Sequence, residues 1–392
     1  MLKRITSRIG ALAMLAVAVT AMPAEAQQGD AVRQLTAGGR HTCEISGATA
    51  WCWGYGGHGE LGNGSVADQW TAVPVRAPRG VVFTQLTAGD SHTCGIGGAR
   101  AYCWGEGADG KLGDGGTTDR AAPVPVRAPR GVVFTQLAAG TNHTCGISGA
   151  GTWCWGDNAD GELGNGGNDD LDHPAPVRVR TPQGVVFTRL TAGEGHTCGI
   201  SAAGTYCWGQ GILGTLGDGG SDDRWTPVRV RTPQGVRLTQ LAAGSAHTCG
   251  AGRVRAYCWG YNNRGQLGDG DTTGQAAPVP VRAPQGVVFT QLAAGSAHTC
   301  GAGRAGTYCW GYGDEGQLGN GGTADHLAPA PVRAPRGVVF TQLAAGSYHT
   351  CGVSGARTYC WGDGDYGMLG NAGAASRTTP VQVVFGQASR RR

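Results

Sequence analysis

Histidine and cysteine occur together in this chain in a fixed pattern that could support two kinds of chemistry. His41, Cys43 and Cys52 illustrate it: His-Thr-Cys is followed, nine residues after the cysteine, by the cysteine of Cys-Trp-Gly. One imidazole and two thiolates are ligands that bind zinc, whereas two cysteines alone can oxidise to a disulfide. The residue types therefore leave a metal site and a covalent cross-link open.

The pattern occurs seven times, and this repetition favours the cross-link. The first cysteines lie 51 residues apart, with one interval of 53, and all 14 cysteines belong to the pattern. A catalytic zinc is needed once and a structural zinc takes four ligands, so seven three-ligand copies favour a scaffold. We predict no metal and no other cofactor, and we expect the histidines to be hydrogen-bonded structural residues. They are His41, His92, His143, His196, His247, His298 and His349.

The first 26 residues have the composition of a secretory signal. Lys3, Arg4 and Arg8 precede an apolar stretch at 10–21, and Ala24 and Ala26 supply the small residues that a signal peptidase recognises. The apolar stretch is shorter than the roughly 20 residues that a membrane-spanning helix needs. We predict a signal peptide at 1–26 and a secreted or periplasmic mature protein without a membrane span.

Export makes oxidation of the cysteines the expected outcome, and the hairpin geometry predicts their pairing. With a two-residue turn at 47 and 48, Ser46 lies opposite Thr49, and Cys43 faces Cys52 at a non-hydrogen-bonded position with close α-carbons. Exported proteins with an even number of evenly spaced cysteines normally oxidise them. We predict seven disulfides within repeats: Cys43–Cys52, Cys94–Cys103, Cys145–Cys154, Cys198–Cys207, Cys249–Cys258, Cys300–Cys309 and Cys351–Cys360.

The elements that must position these residues are four short strands in each repeat. In the second copy we predict strands at 81–86, 92–96, 101–104 and 123–127, rich in β-branched and aromatic residues and separated by glycine-containing turns. Four strands in about 51 residues, repeated seven times, predict an all-β fold: a seven-bladed β-propeller of four-stranded blades at 27–388. We expect the N- and C-terminal strands to pair and close the ring, with a short basic tail at 389–392.

The repeat units resemble those of a known family. Gly-x-x-His-Thr-Cys, Tyr-Cys-Trp-Gly and Gly-Gln-Leu-Gly-Asp-Gly are similar to repeats of the regulator of chromosome condensation family, and they span residues 31–385. The resemblance implies a seven-bladed propeller, here in a secreted bacterial-type member. Leu238 in place of phenylalanine, Ala372 in place of glycine and the apolar Ile212 depart from the pattern.

Motifs for other functions are weak. Five segments, the first at 54–59, match the dinucleotide fingerprint, but no helix start follows them. The acidic segments at 157–161 and 363–365 lack the distal glutamate of a calcium loop. The formal net charge of +4 falls to +2 without the charges of the predicted signal, which indicates no basic groove for nucleic acid. We predict that the chain is not an enzyme.

Function is expected in the loops that differ between units. Aromatic and arginine side chains on loops over a rigid scaffold are typical of protein interfaces. The best patch combines Trp70, Tyr348 and Tyr366 with Arg40 and His58, because ring closure makes the first and last units neighbours. Trp225 is a further candidate partner-binding residue.

These observations predict an exported protein-binding scaffold, which engages a partner protein through one propeller face and for which an inhibitor is one concrete form. We expect it to be a monomer. The family's founding member, a guanine nucleotide exchange factor for a small GTPase, implies an exchange activity as an alternative, although export argues against it. A purely structural envelope or extracellular component is the third possibility.

Overall fold

A computed structural model describes residues 32–169 and 171–386; the predicted signal peptide at 1–26 and tail at 389–392 lie outside them. Its strands form seven antiparallel four-stranded sheets, one from each repeat. This confirms the all-β, seven-bladed propeller. In the described part of the chain, short 3₁₀ turns interrupt the loops at Ala108–Gly110, Ile212–Gly214 and Asp365–Gly367. No helix in the described residues has the length and apolar character needed to cross a bilayer.

Within each blade the strands follow chain order, and the first strands of neighbouring blades contact one another around the axis. The first four blades comprise β1 (Val32–Ala37), β2 (His41–Ser46), β3 (Thr49–Gly54), β4 (Gln69–Pro74), β5 (Phe83–Ala88), β6 (His92–Gly97), β7 (Arg100–Gly105), β8 (Arg120–Pro125), β9 (Phe134–Ala139), β10 (His143–Ser148), β11 (Gly151–Gly156), β12 (His173–Arg178), β13 (Phe187–Ala192), β14 (His196–Ser201), β15 (Gly204–Gly209) and β16 (Arg224–Arg229). The last three comprise β17 (Leu238–Ala243), β18 (His247–Gly252), β19 (Ala256–Gly260), β20 (Gln275–Pro280), β21 (Gln291–Ala294), β22 (His298–Gly303), β23 (Gly306–Gly311), β24 (His326–Pro331), β25 (Gln342–Ala345), β26 (His349–Ser354), β27 (Arg357–Gly362) and β28 (Arg377–Gln382).

The cysteine hairpins have the predicted register. Ser46 pairs with Thr49 and Cys43 pairs with Cys52, whose α-carbons are 4.1 Å apart. All seven predicted disulfides are present, and none of the described cysteines is free. The predicted strands of the second repeat are also found, but β8 begins three residues earlier than expected because Gly105 pairs with Arg120 at the far side of a bulge.

One tryptophan per blade fills the space between neighbouring sheets. Trp104 is fully buried, and its indole Nε1 donates a hydrogen bond of 2.8 Å to the carbonyl of Glu60 in the preceding blade. Trp53 does the same across the junction of the last and first blades, donating to the Met368 carbonyl at 3.1 Å. A large apolar ring with a satisfied N–H suits this position, because the buried donor would otherwise carry a desolvation cost.

The histidines form a closed ring of hydrogen bonds with threonines of the next blade. His41 Nε2 lies 2.7 Å from Thr93 Oγ1, and the ring ends where His349 Nε2 lies 2.7 Å from Thr42 Oγ1. The Thr93 hydroxyl donates its only proton to the Glu60 carbonyl, so His41 Nε2 must be the donor. The buried Nδ1 atoms of six of these histidines have no hydrogen-bond partner in the structure. These contacts confirm the structural role predicted for the histidines.

Closure of the ring differs from the prediction that the N- and C-terminal strands would pair. Each sheet uses one uninterrupted repeat, in the order β1-β2-β3-β4 in the first blade and β25-β26-β27-β28 in the last. The C-terminal segment instead pairs with β4, where Ala72 N–H donates to the Val384 carbonyl and Gly386 N–H donates to the Ala72 carbonyl, both at 2.9 Å. The prediction was wrong because every repeat already supplies four strands in blade order.

The junction of the last and first blades, which we call the seam, also has its own packing. In the second blade the Phe83 ring lies over Gly95, where an added Cβ would come within 2.8 Å of that ring. In the first blade Val32 replaces the phenylalanine and Glu44 replaces the glycine. Glu44 is fully buried and accepts a hydrogen bond of 2.5 Å from the Thr358 hydroxyl of the last blade.

Candidate functional site

The two loops that follow the first and third strands of every blade lie at the same end of the sheet, because the strands are antiparallel and in chain order. We call this end the loop face; in the first blade it comprises residues 38–40 and 55–68. The opposite end, the turn face, carries the turns between second and third strands and the links between blades, such as 75–82. The loop face carries four exposed aromatic side chains, namely Trp70, Trp225, Tyr348 and Tyr366.

Four loop-face side chains are in contact across the seam. The Arg40 guanidinium lies 5.4 Å from the centre of the Tyr366 ring, a cation–π distance. The Tyr55 ring contacts Tyr366 edge-on at 5.2 Å and His58 at 6.1 Å between ring centres. Tyr366 adopts a left-handed backbone conformation with φ of 56°, which is strained for an aromatic residue. We call Arg40, Tyr55, His58 and Tyr366 the seam cluster.

The remaining predicted residues divide between two places. Trp70 adjoins the seam cluster, since its carbonyl accepts a hydrogen bond of 2.9 Å from Ala372 N–H in the loop that carries Tyr366. Tyr348 lines the same funnel as Arg40 and Tyr55 at the mouth of the central channel. Trp225 lies apart from them in the fourth blade, packed beside Gly161 of the third. Five of the six candidate residues are therefore brought together and one is not.

The funnel is a polar cavity of about 450 Å³. Its wall between the seam residues is formed by short hydroxyl side chains and by two carboxylates. The lining residues are Arg40, Tyr55, His58, Asp90, Ser91, Thr141, Glu194, Ser245, Ser296, Ser347 and Tyr348. A funnel with such a hydroxyl-lined wall, beside exposed aromatic rings, has the shape to accept a protruding loop of another protein.

His58 is the histidine of the seam cluster, and its charge depends on pH near neutrality. Its Nδ1 lies 3.0 Å from Asp119 Oδ2 of the next blade. Partial burial alone would lower the pKa of His58, but the hydrogen bond to Asp119 and the nearby charges of Glu60 and Glu106 outweigh it and raise the pKa. Protonated His58 adds a positive charge to the seam cluster, which already contains Arg40.

Among the described residues no group of three or more histidine, cysteine, aspartate or glutamate side chains could hold a metal ion. The sequence analysis did not place Tyr55 in its candidate patch. The residue alone was a weak signal, because the fifth and sixth blades also have a tyrosine directly after Trp-Gly, namely Tyr261 and Tyr312.

Charge is segregated between the two faces, which the sequence analysis missed. Within 32–169 and 171–386 every aspartate and glutamate except buried Glu44 lies in loop-face loops. The turn face carries exposed arginines and no exposed acid among these residues. The turn-face arginines are Arg79, Arg100, Arg130, Arg178, Arg229, Arg237, Arg253, Arg255, Arg304, Arg336 and Arg357. A further series, typified by Arg127, lies at the outer rim against loop-face glycines such as Gly115.

The small net charge concealed this arrangement because the two faces nearly cancel. Placing the charges in the register of the repeat would have revealed it, since arginines cluster near the Pro-x-Gly-Val links and acids near Gly-x-Leu-Gly. The premise behind the prediction of no nucleic-acid binding was therefore incomplete, and that prediction stays untested.

Comparison with known proteins agrees with the repeat motifs and the ring. A family model described as an RCC1-like domain matches residues 7–338. The ultraviolet-B receptor UVR8 of Arabidopsis thaliana is 32% identical over 354 residues, which cover 88% of this chain and 80% of the receptor. The human E3 ubiquitin-protein ligase HERC2 is 30% identical over 334 residues, 82% of this chain but 7% of the ligase.

Solved structures show the same fold at lower identity. Human WBSCR16 superposes with a TM-score of 0.74 at 19% identity, covering 82% of this chain and 87% of that one. Yeast RCC1 (Prp20), in its complex with Kap60, superposes with a TM-score of 0.72 at 21% identity, covering 97% and 91% of the two chains. From the matched family model and the similarity to UVR8, the chain belongs to the family of RCC1-like domains.

Proposed function

We propose that the chain is an exported protein-binding scaffold that engages one partner protein through the seam cluster, Trp70 and Tyr348. The observation that carries this proposal is the convergence of exposed aromatic rings and an arginine at one junction of the loop face. Tryptophan, tyrosine and arginine are the residues that most often dominate binding energy at protein interfaces. Trp70, Tyr348 and Tyr366 are each about two-fifths exposed, so they are available to a partner.

The frame beneath the cluster supports binding without reorganisation. Arg40 and Tyr348 directly precede His41 and His349, which belong to the buried histidine ring. Disulfides Cys43–Cys52 and Cys351–Cys360 cross-link the two hairpins on either side of the seam. A rigid interface loses little conformational entropy when it binds, so more of the contact energy remains as affinity.

Export is supported by residues 1–26 and by the cysteines. Seven disulfides that use every cysteine are typical of proteins that fold in an oxidising compartment. In a secreted or periplasmic location the seam cluster would be accessible to exported or surface proteins. Inhibition of such a protein is one form of the proposed function. The alternative of guanine nucleotide exchange rests on the family resemblance alone.

The proposal is tested by cross-linking a tagged, oxidised mature protein in its own cells and identifying what is bound by mass spectrometry. The seam variant Trp70→Ala, Tyr348→Ala, Tyr366→Ala should lose one stoichiometric partner that the native protein retains. With the purified partner, loss of three hot-spot side chains should weaken Kd by more than about 100-fold. The control variant Leu171→Ala, Ile212→Ala removes exposed apolar side chains from the far side of the loop face and should bind normally.

Three outcomes would contradict the proposal. Retention of the partner by the seam variant would move the interface elsewhere, and its loss in Trp225→Ala alone would place it in the fourth blade. Absence of any saturable partner would favour a purely structural component. A cytosolic location of the mature chain would remove the export part of the proposal.

A further inference from the structure

The turn face has the charge and apolar character of a surface that docks on lipid. We propose that the turn face binds an anionic lipid surface peripherally, through its arginines and a ring of exposed valines. This inference uses the face opposite to the seam cluster and does not depend on the proposed protein partner.

Within residues 32–169 and 171–386 the turn-face arginines form no ion pair with an acidic side chain. Every ion pair found in the described residues involves loop-face side chains, such as Arg120 with Asp114 at 2.8 Å and Arg264 with Asp325 at 3.2 Å. None involves a turn-face arginine. A set of positive charges without nearby negative charges makes the local electrostatic potential positive, and it attracts a surface that carries many anions.

Exposed valines lie beside these arginines in the links between blades. Val82 is 47% exposed, Val186 is 71% exposed and Val339 is 62% exposed. Val82 and Val186 directly precede an inner strand, and Val339 lies three residues before one. Val254, in a turn of the fifth blade, is 77% exposed and is flanked by Arg253 and Arg255. Aliphatic side chains bordered by cations can enter the boundary between headgroups and acyl chains while the cations contact phosphates.

The combination fits a lipid surface better than a nucleic acid. Single-stranded nucleic acids are held by aromatic side chains on which bases stack, and no exposed aromatic residue among the described ones lies on the turn face. The arginines also occur in every blade, so they surround the axis instead of following one groove. A planar array of phosphates can contact all of them at once, whereas a duplex meets only a stripe.

Vesicle flotation tests the inference with the oxidised mature protein. It should float with vesicles of equal parts phosphatidylglycerol and phosphatidylcholine, remain unbound with phosphatidylcholine alone, and dissociate as salt rises. The variant Arg79→Gln, Arg130→Gln, Arg336→Gln should partition on the order of 100-fold more weakly, from about a factor of five per arginine. The matched control Arg120→Gln, Arg264→Gln, Arg377→Gln makes the same charge change on the loop face and should float like the native protein.

A second variant separates lipid from other polyanions. Val82→Ser, Val186→Ser, Val339→Ser should weaken binding to the anionic vesicles while leaving all charges in place. Equal flotation of the native protein and the Arg79 triple variant, or no flotation of either, would overturn the inference. So would arginine-dependent binding to duplex DNA without vesicle binding, or arginine-dependent self-association in which one molecule's acidic loop face covers another's turn face.

Discussion

The histidine ring predicts that the protein loses stability steeply in mild acid. Burial lowers the pKa of His298 to about 3, with a further contribution from its neighbours in the ring. Its Nδ1, which would have to accept the proton, faces no hydrogen-bond partner. In the unfolded chain a histidine has a pKa near 6.5. Below that pH the unfolded state therefore binds protons that the folded state does not bind.

The magnitude follows from this difference in proton binding. Each such histidine makes the free energy of unfolding fall by about 1.4 kcal/mol per pH unit below pH 6.5, which is about 2 kcal/mol by pH 5. The folded-state pKa values lie at about 3 for His41, His143, His247 and His298 and at about 4 for His196 and His349, so the loss continues to those values. Summed over the ring it is comparable to the total stability of a typical protein.

Buried carboxyls oppose this trend, so the test uses a difference between two curves. Burial raises the pKa of Glu60 to about 7 and that of Glu162 to about 8, and both therefore favour the folded state as pH falls toward 4.5. Denaturant midpoints should be measured from pH 5 to 8 for the native protein and for His298→Gln, whose amide can still donate to Thr350. The variant should be destabilised at pH 8, and the deficit should shrink by about 2 kcal/mol by pH 5.

Thr350→Val is the matched control, because it removes the 2.8 Å hydrogen bond from His298 Nε2 and keeps the imidazole buried. Its curve should run parallel to that of the native protein. Parallel curves for His298→Gln as well would refute the reasoning, since they would mean that His298 takes up its proton equally in the folded and unfolded states.

Three further predictions concern single features of the frame. Burial raises the pKa of Glu44 to about 7, so the free energy of unfolding of Glu44→Gln should rise by about 3 kcal/mol relative to the native protein between about pH 4.5 and 7; parallel pH curves would contradict this. The double variant Val32→Phe, Glu44→Gly should be more stable than either single variant, and an additive double-mutant cycle would contradict that. Cys300→Ala with Cys309→Ala should cost about 2 to 3 kcal/mol in denaturant unfolding, and no loss would show that the hairpin is held without its cross-link. Arg189→Gln should increase the free energy of unfolding by about 1 kcal/mol. The glutamine at this position in the second blade, Gln85, hydrogen-bonds both the N–H and the carbonyl of Leu137 in the next blade. An unchanged denaturant midpoint would argue against this prediction.

The repeat made most of the fold predictable, because its features depend on local geometry and on burial within one unit and its neighbours. A two-residue turn fixes which cysteines face each other, and a tryptophan in every copy must be buried wherever the copies pack. The seam patch was predictable for the same reason, since any closed ring makes Arg40 and Tyr366 neighbours. Closure itself was not, because Phe385 pairs with Ala72 through backbone hydrogen bonds that carry no sequence signal.

The sequence did not reveal the charge segregation for a different reason. A net charge is a sum, and it carries no information on position when Arg79 and Asp90 lie at opposite ends of one sheet. Tyr55 was missed because a tyrosine follows Trp-Gly in three of the seven repeats, so the residue type alone did not single out the seam. The charge segregation becomes visible once the repeats are aligned on the strands.

Because every blade is one unbroken stretch of chain, the order of the blades along the gene is separable from their order in the ring. A chain cut in the link at 284–287, with its original ends joined by a short linker, should close through the same histidine and tryptophan contacts. Whole units can likewise be exchanged without any strand being shared between them. In designs with interlocked terminal strands, a cut between repeats would leave one sheet incomplete, and this propeller is free of that constraint.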